Sequence, residues 1–299
     1  MQPPLVEQRT ATATGVRAGD LLELTKPGIT FMVVTSCAIG FLMASHRLAD
    51  PWMLVSVLIG TGLVSGGASA FNHVFERRLD AKMRRTANRP LPTGRVQPDV
   101  ALLFATSLAI TGLAELALAV NWVSALLGAI ALVGYSFVYT PLKRVSSLAT
   151  VWGAVPGAIP PMIGWAAATG SVDTGAWILF GILFFWQMPH FLAIAWLCRE
   201  DYGRAELPML PVSDPSGLQT GRQVILYGAA LLPMSLMPSV LGLTGAFYFV
   251  GALAASLAYL GFCIAFALKP VNRLARKLMF ASILYLPAVL AVMVLDRLF

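Results

Sequence analysis

Asn72, Glu76, Asp80 and Arg84 follow one another at intervals of four in the stretch NHVFERRLDAKMRRTANRPL, which begins at Asn72. On a helix each step of four drifts only about 40° around the axis, so Asn72, Glu76 and Asp80 form one stripe. Hard divalent cations take oxygen ligands of this kind. Mg²⁺ typically uses about one or two carboxylates, with substrate phosphates and water completing its shell. Arg77, Arg78, Lys82, Arg84, Arg85 and Arg89 crowd the same stretch and suit phosphate oxygens. Acids and bases gathered at one place imply a metal-bridged polyphosphate. The competing explanation is an interfacial helix with i,i+4 ion pairs and bases resting on anionic lipid. It weakens because Asn72 and Glu76 close an apolar run, where polar groups are costly.

A second cluster lies in PHFLAIAWLCREDYGRAELPMLPV, from Pro189 to Val212. Glu200, Asp201 and Tyr202 sit at its centre, and His190 lies eleven residues before Asp201, read as three turns up the same helix. A lone histidine in an apolar run is ordinarily a packing residue. Pro189 before it, and its place on the path to Asp201, make a site role an equal alternative. Two acidic clusters on separate helices are what a multi-metal diphosphate site requires. Between them, YTPLKRVSS supplies Tyr139, Lys143 and Arg144, either as a diphosphate clamp or as cations snorkelling to headgroups.

The elements that must position these groups are membrane helices. Of the 299 residues 58% are hydrophobic and 12% charged, with mean hydropathy +0.76; a soluble domain carries about a quarter charged residues. That excludes a water-soluble core. Runs of roughly 20 mostly apolar residues occur at 28–45, 52–75, 99–120, 122–140, 148–168, 175–198, 223–242, 245–268 and 278–296. They predict an all-α, polytopic bundle of about nine spans, with no two-residue alternation of a barrel. The N-terminal tail and every second loop hold 19 of the 21 Lys and Arg, and only Arg47 and Arg297 fall on the other side. Positive charge stays inside, which predicts a cytoplasmic N-terminus and active-site face and an external C-terminus. The net charge of +7 then belongs to loops facing lipid, not to a nucleic-acid surface. Residues 1–23 read as a polar cytoplasmic tail and 24–299 as the transmembrane domain. Without an Arg-rich, acid-poor presequence, a bacterial inner membrane is the expected location. Cys37, Cys198 and Cys263 form no CxxC pair and read as packing residues.

The segment NHVFERRLDAKMRRTANRPLPTGRV resembles the first acidic motif of the UbiA-type intramembrane prenyltransferases, an Asn-x3-acid-x3-Asp pattern. Its tail MRRTANRPLP is similar to the branch of that family that farnesylates protohaem to haem O. LTKPGIT resembles the family's entry into its first span, YTPLKRVSSLATVWGAVPGAIPPMIGWAAATG its fourth-to-fifth-span segment, and WQMPHFLAIAWLCREDYGRAELPMLPV its second acidic motif. The likeness runs from about Leu24 to the C-terminus. The RTxxRP and PMLPV elements are specific to the branch, whereas the acidic spacing alone indicates the superfamily.

The resemblance implies a Mg²⁺-dependent prenyltransferase. Its substrates would be farnesyl diphosphate and protohaem IX, haem B being substrate rather than cofactor. The lipid bilayer and the next haem-modifying enzyme would be its partners. It implies catalytic and metal-binding roles for Asn72, Glu76, Asp80 and Asp201. Substrate-binding roles go to Arg84, Arg85, Arg89, Tyr139, Lys143, Arg144, His190, Glu200 and Tyr202, the bases holding diphosphate or haem propionates. Two departures stand out: Glu76 where many members have Asp, and Glu206 where a Gly is expected. The second leaves the local turn open. A quinone- or chlorophyll-precursor prenyltransferase and a cation-coupled transporter are the alternatives.

Overall fold

A computed structural model describes residues 16–45 and 50–298, and among these there is no strand. The first fifteen residues of the expected tail, and Arg47, lie outside the described residues. A short helix α1 (Ala18–Leu24) leads into α2 (Pro27–Ala44), α3 (Pro51–Asp80) and α4 (Pro98–Glu115), which continues as a π-helical segment to Val120. Helix α5 (Trp122–Val133) runs through a second π-helical segment, Gly134–Tyr139, into α6 (Thr140–Leu142). After α7 (Ala149–Ala158), α8 (Pro160–Thr169) and α9 (Thr174–Leu197) come two short helices, α10 (Arg199–Arg204) and α11 (Leu210–Ser213). Three long helices close the chain: α12 (Leu218–Val240), α13 (Ala246–Leu268) and α14 (Asn272–Leu298).

Local chemistry sets most of the boundaries. Pro27, Pro51 and Pro98 open their helices where a missing N–H costs nothing. Asp50, Asn121 and Asp173 cap the starts of α3, α5 and α9 by accepting backbone N–H bonds. Small residues let backbones touch, as is usual between membrane helices. A Cβ on Gly112 would stand 2.8 Å from the Gly60 carbonyl oxygen, which is how closely α4 approaches α3.

Eight helices are long and apolar enough to cross a membrane among the described residues. The expected fifth span, 148–168, differs: it is the pair α7 and α8, ten residues each. The cause is local. Pro160 and Pro161 lack the N–H groups that would continue the ladder, yet Ile159 keeps helical angles (φ −71°, ψ −33°). The broken pair still runs the length of the bundle, since Gly153 packs on Tyr139 at one end and the Ala166 carbonyl meets Asn121 at the other.

The helices divide into two packed halves. Helices α2, α3, α4, α5 and α8 share one apolar core, around Phe41, Val64, Leu116 and Ile163. Helices α9, α12, α13 and α14 share a second, around Leu183, Tyr259, Phe266 and Met293. A third, small core of Met83, Ala205, Leu207 and Met209 packs the loop after α3 against the segment after α9. At the opposite end of the bundle Arg297 donates to the carbonyls of Leu42 and Ser45, at 3.2 and 2.7 Å. The start of α2 and the end of α14 therefore lie at opposite ends.

Candidate active site

Helix α3 runs unbroken through Asp80, past the expected end of its span, and so carries Asn72, Glu76 and Asp80 on one face. All three are buried, at 3%, 3% and 1% exposure. Each meets a base or hydroxyl from another element. Asp80 accepts from Arg89 at both carboxylate oxygens, 2.9 Å each, because the turns after α3 fold Arg89 back onto it. Glu76 forms an ion pair with Lys143 from the end of α6, although its Oε1 lacks the alignment of a hydrogen bond. The Asn72 amide accepts from Lys26 at 2.6 Å and donates to Thr140 at 3.2 Å.

The second cluster arrives differently. The backbone breaks at Cys198, so His190 and Asp201 lie on separate helices, α9 and α10, and not on one. Asp201 accepts from the Arg84 backbone N–H at 3.1 Å and pairs with Arg204, three residues along its own helix. Arg85 donates to the Tyr202 hydroxyl at 3.0 Å and lies 5.0 Å from its ring centroid. Burial raises the Tyr202 phenol above its ordinary pKa, while the Arg85 charge acts in the opposite sense. Glu200 points outward and is exposed. Arg144 is also exposed and donates to the Phe75 carbonyl at 2.5 Å. The structure thus gathers Asn72, Glu76, Asp80, Arg89 and Lys143 tightly, sets Asp201, Arg84, Arg85 and Tyr202 beside them, and leaves Glu200 apart.

Glu206 resolves the question its identity raised. It adopts a left-handed backbone, φ 57°, the conformation in which Gly is favoured. The chain keeps the turn, and the Glu206 carboxylate lies 3.7 Å from Lys82 in solvent.

Below the charged groups a cavity of ≈ 530 Å³ descends between α2, α3, α7, α8 and α9. Its α3 wall is Thr61, Val64, Ser65, Ala68 and Ser69, so the face that bears the acids continues downward mostly as small residues. Tyr139 and Tyr202 stand at its upper part, and Leu183 and Ile163 line it lower down. His190 also lines the cavity. Its ring stacks on Trp186 at 5.4 Å, and its Nδ1 lies 2.6 Å from the Ser282 hydroxyl. That hydroxyl already donates to the Met279 carbonyl, so Nδ1–H is the donor.

Two residues escaped sequence reasoning. Lys26 sits in the LTKPGIT segment, which carried family likeness but no chemistry of its own. A lysine immediately before the proline that opens a membrane helix was the available signal. Burial, followed by the nearby Arg89 charge, lowers its ammonium to about 8. Thr140 closes the second π-helical segment and lies in YTPLKRVSS, beside Tyr139, but no charge or spacing sets it apart.

Among the described residues no three His, Cys, Asp or Glu side chains converge closely enough to cage a cation. The buried oxygens of Asn72, Glu76 and Asp80, ringed by Lys26, Lys143 and Arg89, instead suit a Mg²⁺ shared with a polyphosphate. The donor set fits.

A model of the UbiA prenyltransferase family matches residues 33–284. The chain belongs to the UbiA prenyltransferase family. Among its relatives, a Protoheme IX farnesyltransferase of Solibacter usitatus is 46% identical, over 93% of this chain and 98% of the relative. A protein of the same name from Opitutus terrae is 43% identical, over 97% and 98%. Solved structures share the fold. A Digeranylgeranylglyceryl phosphate synthase superposes with TM-score 0.77 at 18% identity, covering 93% of this chain and 97% of its own. A UbiA homolog from Archaeoglobus fulgidus bound to GPP and Mg²⁺ gives TM-score 0.68 at 17% identity, covering 92% and 99%. This UbiA-family chain is therefore a multi-pass membrane prenyltransferase.

Proposed function

We propose that the protein transfers the farnesyl group of farnesyl diphosphate to a vinyl group of protohaem, with addition of water, giving haem O and diphosphate. The observation that carries this reading is a pair of buried carboxylates, Glu76 and Asp80, ringed by cations at the head of an apolar cavity. The names of the relatives in Solibacter usitatus and Opitutus terrae support the choice of substrates.

The groups act as follows. Lys143 and Arg89 on the carboxylates and Lys26 on the Asn72 amide stand where a diphosphate would receive its charge-assisted bonds. Bound Mg²⁺ ions, shared between the diphosphate and the side chains of Asn72, Glu76, Asp80 and Asp201, would add neutralisation of the leaving group. As the allylic carbon–oxygen bond breaks, its electron pair leaves with the diphosphate, and Lys26, Lys143 and Arg89 stabilise that growing charge. The cavity walls below hold the farnesyl chain and keep water from the cation until a vinyl carbon bonds to it. The new cation on haem then takes water and loses a proton, becoming a hydroxyl. Arg84, Arg85 and Arg144 are exposed bases at the rim, suited to propionates. His190 presents Nε2 to the same cavity.

We also infer the setting. The broken pair α7–α8 makes a ninth crossing beside the eight long helices. The acids then lie at the cytoplasmic face of an inner membrane, with the N-terminus on that side and the C-terminus outside, as the distribution of Lys and Arg requires. The purified protein, given farnesyl diphosphate with haem B or with 4-hydroxybenzoate, should yield a farnesyl-hydroxyethyl haem by mass and leave the quinone precursor unchanged. EDTA should stop the reaction and Mg²⁺ should restore it. A prenylated hydroxybenzoate as sole product would overturn the haem assignment.

A further inference from the structure

Helix α1 is seven residues long and too short to hold its shape alone, yet Leu24 is fully buried and Asp20 is 6% exposed. Leu24 packs into the core shared by α2, α3 and α4, and Arg95, from the loop after α3, clamps the polar side of α1. Its guanidinium pairs with the Asp20 carboxylate, reaches Glu23 Oε2 at 3.3 Å, and donates to the Asn88 carbonyl at 2.7 Å and the Thr93 hydroxyl at 3.1 Å. None of these partners belongs to the acidic stripe. Two residues beyond Leu24, Lys26 adopts a left-handed backbone (φ 48°, ψ 65°) and sends its ammonium to Asn72 at 2.6 Å. A side chain with a Cβ resists that conformation, and Pro27 disfavours the ordinary helical one. The turn must be held from both sides. Helix α2 holds one side, and α1, seated by Leu24 in the apolar core and by the Arg95 clamp, holds the other.

We propose that Arg95 is a positioning residue: by clamping Asp20 and Glu23 it fixes α1, and through α1 it keeps the Lys26 ammonium beside Asn72. This rests on the reading that the site binds a diphosphate. Lys26 touches the leaving group in that reading, and Arg95 acts only through it.

The test uses the full-length protein in detergent. Titration calorimetry with inorganic diphosphate and Mg²⁺ is combined with steady-state kinetics on Lys26→Met, Arg95→Gln, Arg95→Lys and the double variant Lys26→Met/Arg95→Gln. Losing one charge-assisted contact should weaken diphosphate binding and raise KM for farnesyl diphosphate roughly tenfold in either Gln or Met variant. The double variant should be no worse than the worse single one, because both changes remove the same contact. Arg95→Lys, keeping a charge but not the fork, should recover part of the loss. If Arg95→Gln does not fold, Glu23→Gln removes one exposed arm of the clamp and should shift KM in the same direction by a smaller factor. Additive losses in the double variant, or a lowered Tm with KM unchanged, would overturn the proposal. Failure of the unaltered protein to bind diphosphate would instead overturn the reading beneath it, and no variant is needed to see that.

Discussion

Glu76 and Asp80 stand on the last turns of a 30-residue helix and are 3% and 1% exposed, whereas Glu200 and Asp201 stand on a six-residue helix that buries none of its residues. The two regions carry the same kinds of side chain, acids followed closely by arginines. Their supports differ. Helix α3 is packed along its length by α2, α4 and α8, so its acids are placed before any ligand arrives. Helix α10 is seated mainly by the small core of Met83, Ala205, Leu207 and Met209 and by the Arg84 N–H on Asp201. A long packed helix makes a preorganised site, and a short segment clipped to it supplies contacts that complete it.

Mutations separate the two supports. Asp80→Ala should lower kcat/KM by about two to three orders of magnitude, as expected for a lost group at the developing charge, while the thermal unfolding profile stays cooperative. Normal Mg²⁺-dependent turnover in that variant would end the assignment of α3 as the metal-diphosphate platform. Asp201→Asn should cost less, roughly ten- to a hundredfold, seen mainly in KM for the diphosphate. A loss as large as that of Asp80→Ala would show that the second region is equally preorganised. Arg85→Ala and Tyr202→Phe join the two regions through one bond and one ring contact. A double-mutant cycle on stability should find coupling of about 0.5–1 kcal/mol between the guanidinium and the hydroxyl, and zero coupling would remove this bond from the contacts that seat α10. Glu200→Gln should change kcat and KM by less than about twofold, as a solvent-facing substitution does; a larger effect would bring Glu200 into the site.

How much was legible depends on distance along the chain. The four-residue spacing of Asn72, Glu76 and Asp80 needs only helical periodicity, and α3 extends far enough to realise it. Lys26 could not be read in the same way, because its 2.6 Å contact with Asn72 spans 46 positions and depends on a left-handed turn. The apolar run continues to Cys198, so His190 and Asp201 read as one helix. Nothing in its hydropathy marks the break there. The fifth span was legible as an apolar stretch, while its division followed from Pro160 and Pro161, whose missing N–H groups interrupt hydrogen bonding without ending the apolar run.

The sequence by itself determined that this chain lives in a membrane, that its charge gathers at one end of the bundle, and that α3 presents an acidic stripe there. Those properties are local or additive: hydropathy sums over a window, and a stripe follows from helical rise. Only the tertiary structure decided which base meets which acid, with Lys143 on Glu76, Arg89 on Asp80 and Arg95 on α1. Arginines are nearly interchangeable in a one-dimensional charge pattern. Their partners are chosen by where turns and packed helices deliver each guanidinium, and that depends on contacts far apart in the chain.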